Sequence, residues 1–380
     1  MVEIIGYHTT RFGEWWEESL FSLINQTYTG ILKQTQLDKK QIDAVFFSNM
    51  LAGVLENNLH LTAKLAELLG NNIPIFRIES ACASGGVAFF LAFNYLKANP
   101  NKTVLVIGAE KMTDFSPEQT TTALISAASG EEQEAGLSFP GLYAMLAQVY
   151  LQKYQATEED LAYVAYKNHY HGSLNDKAHF QKKVSLSNIL NSAYIAYPLK
   201  VFDCAPISDG ACALLLTNKK NTYQLPAVRV LASEVATDTI SLTKRQRLDE
   251  IKATKIAAEK AFRAALLSRK DIQLAEVHDC FTIAEILALE DLGFWPKGQG
   301  GKKARELSTL IGRGEFVVNT SGGLKAGGHP VGATGIKQLG EIYLQLTHQA
   351  QKRQLKKISY GLAHNVGGSG GTAVVTILGV

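Results

Sequence analysis

The chain carries its pattern twice, and that repeat is the strongest constraint on its fold. Residues 37–42 (Leu-Asp-Lys-Lys-Gln-Ile) lead into a strand-like run at 43–47. Residues 267–272 (Leu-Ser-Arg-Lys-Asp-Ile) lead likewise into Ala275-Glu276-Val277. The glycine-flanked helix start at Cys82 is matched by residues 327–335, which open a second amphipathic helix. The strand-like 102–108 is matched by 357–362, and 210–217 by 371–377. A repeat of this kind restricts the chain to an α/β architecture of two βαβ-rich halves stacked on one another, each with a mixed sheet between helices. Residues 115–198 have no counterpart in the second half. It carries helical patterns at 142–154 and 158–170 and a polar, irregular segment at 172–187. The stretch reads as an insertion, either a cap over a substrate site or a plain surface elaboration. The expected units are therefore residues 1–114 with 199–221, the insertion 115–198, and residues 222–380.

Composition narrows the class of protein. With 380 residues, 46% apolar, 19% charged and 32 glycines, the chain has the make-up of a globular enzyme with two or three domains' worth of core. A net charge of +3 gives no case for nucleic-acid binding, although a local basic patch for a phosphorylated cofactor remains open. No run approaches the length of a membrane span. The N-terminal residues lack a signal-peptide pattern, and the last four match no peroxisomal or lipidation signal. Cys82, Cys204, Cys212 and Cys280 show no CxxC spacing and read as free thiols of a reducing compartment, so the expected location is the cytoplasm.

The chemistry gathers at loops that follow strands, where α/β sheets place their sites. Cys82 lies in Glu-Ser-Ala-Cys-Ala-Ser-Gly-Gly (79–86), between an apolar run and a long helical pattern. Unpaired N–H groups and the helix dipole at such a turn favour thiolate over thiol, whereas packing is the other reading of an isolated cysteine. Val-His-Asp-Cys-Phe (277–281) precedes a second helix, and Gly-Gly-His-Pro (327–330) opens a third. Residues 361–371, with His364, Asn365, Val366 and Gly367, read as a flexible turn rich in backbone donors. A nucleophilic thiolate with a second thiol and several histidines suits acyl transfer coupled to carbon–carbon bond formation. That reaction needs a thioester on one cysteine, a separate proton carrier, and donors for an enolate oxygen. Cys280 fits the proton carrier, and His278 and His329 fit the donors. Each has a plainer reading: His329 as a helix cap, His364 as packing, and His278 with Cys280 as metal ligands that lack a second pair. His169, His171 and His179 read as surface or rim residues, and Cys204 and Cys212 as packing.

These residues resemble the thiolase superfamily, and within it the sterol-carrier-protein-2-type thiolases and related bacterial and archaeal acetyl-CoA acetyltransferases. Ser80–Gly85 resembles the nucleophile loop, Asn319–Gly335 the histidine loop, and Asp203–Ala211 the segment that closes the loop domain. His-Asp-Cys-Phe (278–281) stands where better-known thiolases have Asn-Glu-Ala-Phe, and His-Asn-Val (364–366) stands in place of their second catalytic cysteine. The resemblance implies a thiolase fold, a five-layered α-β-α-β-α sandwich with an inserted loop domain that grips coenzyme A. It implies acyl-CoA thioesters and coenzyme A as substrates and products, no permanently bound cofactor or metal, and a homodimer or tetramer. A small zinc-ribbon/OB-fold partner is implied by family analogy. It also implies that Cys82 is acylated, that His329 activates it and contacts the thioester oxygen, that His278 helps hold that oxygen, and that Cys280 exchanges the substrate proton. Backbone N–H groups of Cys82 and of the turn near Val366 would form a second oxyanion site. The competing expectations are a decarboxylating condensing enzyme of the ketoacyl synthase kind and a non-catalytic scaffold subunit.

Overall fold

The computed structural model describes every residue except 71, 221–224 and 315, so the boundary expected between 221 and 222 lies outside the described residues. In the first half, β1 (Glu3–Thr9), β2 (Ala44–Ser48), β3 (Ile75–Ile78) and β4 (Thr103–Glu110) come before a small hairpin, β5 (Tyr194–Ala196) with β6 (Leu199–Lys200). The long strand β7 (Gly210–Thr217) follows. The second half supplies β8 (Val228–Thr237), β9 (Leu274–Glu276), β10 (Val317–Val318), β11 (Tyr360–Gly367) and β12 (Thr372–Gly379). Read outward from the middle, one half runs β1-β7-β4-β2-β3 and the other β8-β12-β11-β9-β10. Each has antiparallel pairs nearest the middle and parallel pairs outside, so the repeat in the sequence is a repeat in topology. The two sheets are not separate. Glu3 and Ile4 of β1 pair with Arg229 and Val228 of β8, which joins them along a short antiparallel seam.

Alternation along the strands sorts their side chains into layers. Val104, Val106, Leu214 and Leu216 face a middle cluster, while Leu105, Ile107, Ala213 and Leu215 face an outer one. The outer cluster holds the Leu20–Thr35 and Leu61–Leu69 helices against the first sheet. The Lys252–Ala265 and Thr282–Asp291 helices cover the far face of the second sheet, against Val375 and Ile377. Between the sheets lie the Ser84–Ala98 and Thr334–Leu346 helices, whose apolar residues share one core with both. The chain is therefore a five-layered α-β-α-β-α sandwich.

Glycines set how the two central helices meet. A Cβ on Gly335 would lie 2.3 Å from the backbone nitrogen of Gly86, and one on Gly85 would lie 3.0 Å from that of Gly335. Only bare backbone allows this approach, which brings the two helix N-termini together. One expectation is corrected here. Residues 364–366 lie within β11 rather than in a flexible glycine turn, because they pair in register with Val375, Val374 and Ala373 of β12.

Candidate active site

Cys82 sits just before the Ser84–Ala98 helix, on a turn in which Ala81 takes a left-handed backbone conformation (φ +50°). Within that turn the Ser84 hydroxyl accepts from Ser80 N–H (2.8 Å) and donates to the Ala81 carbonyl (2.5 Å). His329 occupies the matching place before the other central helix, so the crossing of the helices carries the two side chains toward each other. His278 arrives from the loop after β9. The Cys82 sulfur and one ring nitrogen from each of His278 and His329 lie within 4.8 Å of one another. The two imidazoles meet edge to face, with centroids 5.2 Å apart.

The ring of His329 is oriented by its own helix. The Thr334 hydroxyl donates to the Pro330 carbonyl (2.9 Å), so at 2.7 Å it accepts from Nδ1–H of His329. Nε2 is then left with its lone pair. Burial, and next the Lys337 charge, lower the pKa of His329 to about 3, so the ring is neutral. Around His278, the Asn365 side-chain amide lies 3.2 Å from Nδ1, and Nε2 is buried without a partner. Burial, reinforced by His329, holds this ring well below the ordinary histidine range.

The state of Cys82 departs from the sequence expectation. The N–H groups of Gly368 and of Cys82 itself do point at the sulfur and lower its pKa, but burial outweighs them and Glu110 opposes them. The thiol is pushed up to about 12. At rest the pair is a thiol beside a neutral imidazole, not a thiolate. Cys280 is likewise driven far above the ordinary thiol range by burial and by the nearby Cys82.

A cavity of about 220 Å³ is lined by Cys82, Cys280 and His329, with His278 set behind its wall against Cys82 and His329. Its walls are mostly apolar, with Leu124 from the Pro117–Ile125 helix, Phe139 from the Phe139–Tyr154 helix, and Phe281 and Val331 from later in the chain. Tyr143 stacks on Phe281 (4.6 Å), donates to the Gly368 carbonyl (3.0 Å) and lines the cavity beside Cys280. No motif marks Tyr143, and the sequence reading missed it. Cys204, expected only to pack, lines the same cavity.

Other expected residues lie elsewhere. His364 turns to the outer face of β11 and meets the Thr254 hydroxyl at 2.8 Å, and Val366 packs in the outer core beside it. Strand alternation sends Asn365 the other way, into the site. Gly367 backs the nucleophile loop, since a Cβ there would lie 2.6 Å from the Ser80 carbonyl. His169 and His171 are buried rather than at the surface. His171 ties the Glu158–Gly172 helix to residues 311–319, with Nδ1 at 3.0 Å from the Asn319 carbonyl and Nε2 accepting from Ile311 N–H at 3.0 Å. His179 is half-buried against Ser208 (2.9 Å).

Residues 2–190 match the family described as "Thiolase, N-terminal domain", and residues 234–380 match "Thiolase C-terminal domain-like". An acetyl-CoA acetyltransferase of Methanothermobacter thermautotrophicus is 42% identical over 99% of this chain and 98% of its own length. Human sterol carrier protein 2 is 34% identical over 80% of this chain and 58% of its own length. Among solved structures, one described as "Ltp2-ChsH2(DUF35) aldolase" superposes with a TM-score of 0.85 at 21% identity, covering 100% of this chain and 97% of that one.

Proposed function

The chain belongs to the thiolase family and is an acyl-CoA acyltransferase, and we propose that it makes and cleaves 3-oxoacyl-CoA through an acyl-enzyme on Cys82, with acetyl-CoA and acetoacetyl-CoA as the simplest pair. The observation that carries this reading is the convergence of Cys82, His278 and His329 within 4.8 Å beneath a cavity also walled by Cys280.

In the cleavage direction, His329 Nε2 takes the Cys82 proton as sulfur attacks the 3-oxo carbon. The oxyanion formed there is met by the N–H groups of Cys82 and Gly368. The bond between C2 and C3 breaks and leaves Cys82 as a thioester. The departing enolate places its oxygen between His278 Nε2 and the now protonated His329, and its carbon takes a proton from Cys280. A thiol held protonated at rest suits that donation. Coenzyme A then enters and gives its proton to the Cys280 thiolate, its sulfur attacks the acyl group, and Cys82 leaves with the proton that His329 held. Synthesis is the same path reversed.

The insertion 115–198 acts as the loop domain in this reading, since it supplies Leu124, Phe139 and Tyr143 to the cavity. No permanently bound cofactor is needed. We place the protein in the cytoplasm as a homodimer or tetramer, with β3, an edge strand bearing the exposed Phe76, as an unpaired edge a second copy could cover. By family analogy, the proposal includes a small zinc-ribbon/OB-fold partner. Among the described residues no helix is long and apolar enough to cross a membrane.

Intact-protein mass after incubation with acetyl-CoA, and separately with acetoacetyl-CoA, tests the core of the reading. An acetyl-sized gain in the native protein and none in Cys82→Ala is expected. No gain from either thioester would reject the acetyl reading.

A further inference from the structure

Asn365 sits where the two halves touch the nucleophile loop. Its amide lies between the central helices: a Cβ on Gly335 would come within 2.4 Å of Asn365 Oδ1, and one on Gly86 within 2.9 Å. Oδ1 accepts from Gly86 N–H at 3.0 Å, and Nδ2 donates to the Cys82 carbonyl at 2.9 Å. A backbone N–H can only donate and a carbonyl can only accept, so these two bonds fix which end of the amide is which. The second Nδ2 hydrogen then faces His278 Nδ1 at 3.2 Å, and that nitrogen must accept. A neutral imidazole that accepts at Nδ1 carries its proton on Nε2. His278 therefore offers Nε2–H to the site, while Thr334 leaves His329 with a bare Nε2 lone pair.

We propose that Asn365 is a positioning residue that locks His278 as an Nε2–H donor and so keeps Cys82, His278 and His329 from acting together as a soft-metal site. A cysteine sulfur and two imidazoles at this separation are a ligand set for a zinc-like ion, provided both rings present lone pairs. The Asn365 amide denies one of them. A carboxylate in its place would reverse the ring, because it can only accept and would draw the proton to Nδ1. That is the arrangement in which histidines bind metals.

The proposal rests on the reading of His278 as a substrate-facing donor, and its test is separable from that reading. In protein labelled with 15N-histidine, with His278→Gln used for assignment, long-range 1H–15N correlation should report Nε2–H for His278 in the native chain and Nδ1–H in the nearly isosteric Asn365→Asp. Equimolar Co2+ should give a thiolate charge-transfer band in Asn365→Asp that is lost when Cys82→Ala is added, and no such band in the native chain. In Asn365→Asp, kcat should fall on the order of 100-fold, as expected for a lost oxyanion donor, with KM little changed. An Nδ1–H tautomer of His278 in the native protein would overturn the proposal. So would a native Co2+ band equal to that of the variant. The tautomer and Co2+ measurements need no turnover, so a native protein without acyl transfer would remove the function reading and leave the role of Asn365 to be decided by these two.

Discussion

Burial governs the chemistry of Cys82, and it does so against the local geometry. The turn delivers N–H groups to the sulfur as a helix start should, yet the low-dielectric cavity raises the thiol from its ordinary range to about 12. On the proposed mechanism, Cys82 becomes a nucleophile only when His329 takes its proton during attack. Alkylation of Cys82 by iodoacetamide, read from the mass of its peptide, should keep accelerating with pH beyond about 10, whereas an ordinary thiol levels off near its own value of about 8.5. A plateau near the ordinary value would refute the burial account. The same shift has a sign for stability. Cys82 as a thiol contributes stability that is fully present below its unfolded value and is lost as pH rises toward 12. At this scale the sequence pointed to the residues that the fold brings together more readily than to their states. Cys82, His278, Cys280 and His329 stand in motifs. Tyr143 stands in none, and the tautomers depend on Thr334 and Asn365, which touch the histidines only once the chain is folded.

The two central helices are the elements on which the site depends. Each presents one reactive side chain at its start, and the contact of Gly85 and Gly86 with Gly335 sets the distance between them. Gly335→Ala would force a methyl group onto the Gly86 nitrogen and push the helix starts apart. The expected cost is about 1–3 kcal/mol of stability, as for other overpacked sites, together with a loss of activity larger than the stability loss explains. Thermal unfolding compared with acyl-transfer rate checks both, and a stable, fully active variant would show that the approach can relax. The repeat of glycine-flanked helix starts was visible in the chain, and so was the alternation that builds the layers. Less visible was the strand at 364–366, whose run of small and polar residues among glycines imitates a turn until β12 pairs with it. The burial of His169 and His171 was hidden for a related reason: their helix is polar in sequence and is covered only by elements far along the chain.

Across the whole molecule, the halves are joined by two residue pairs at the seam but share the apolar layer between them. Neither half can keep that layer dry alone, so unfolding should be a single event. Trp15 and Trp16 report on the first half and Trp295 on the second. Denaturation midpoints read from Trp295→Phe and from Trp15→Phe/Trp16→Phe should coincide. Separated midpoints would mean that each half keeps a core of its own.

The placement of Asn365 in β11, so late in the chain and so close to Cys82, also bears on timing. A growing polypeptide that has passed residue 82 already carries its nucleophile but has neither His278, His329 nor Asn365. Until β11 is inserted beside β9, the Asn365 amide cannot clamp the Cys82 carbonyl. On the proposed mechanism, a fragment that stops short of Asn365 holds Cys82 without its assembled site, so catalysed acylation begins only when the chain is nearly complete.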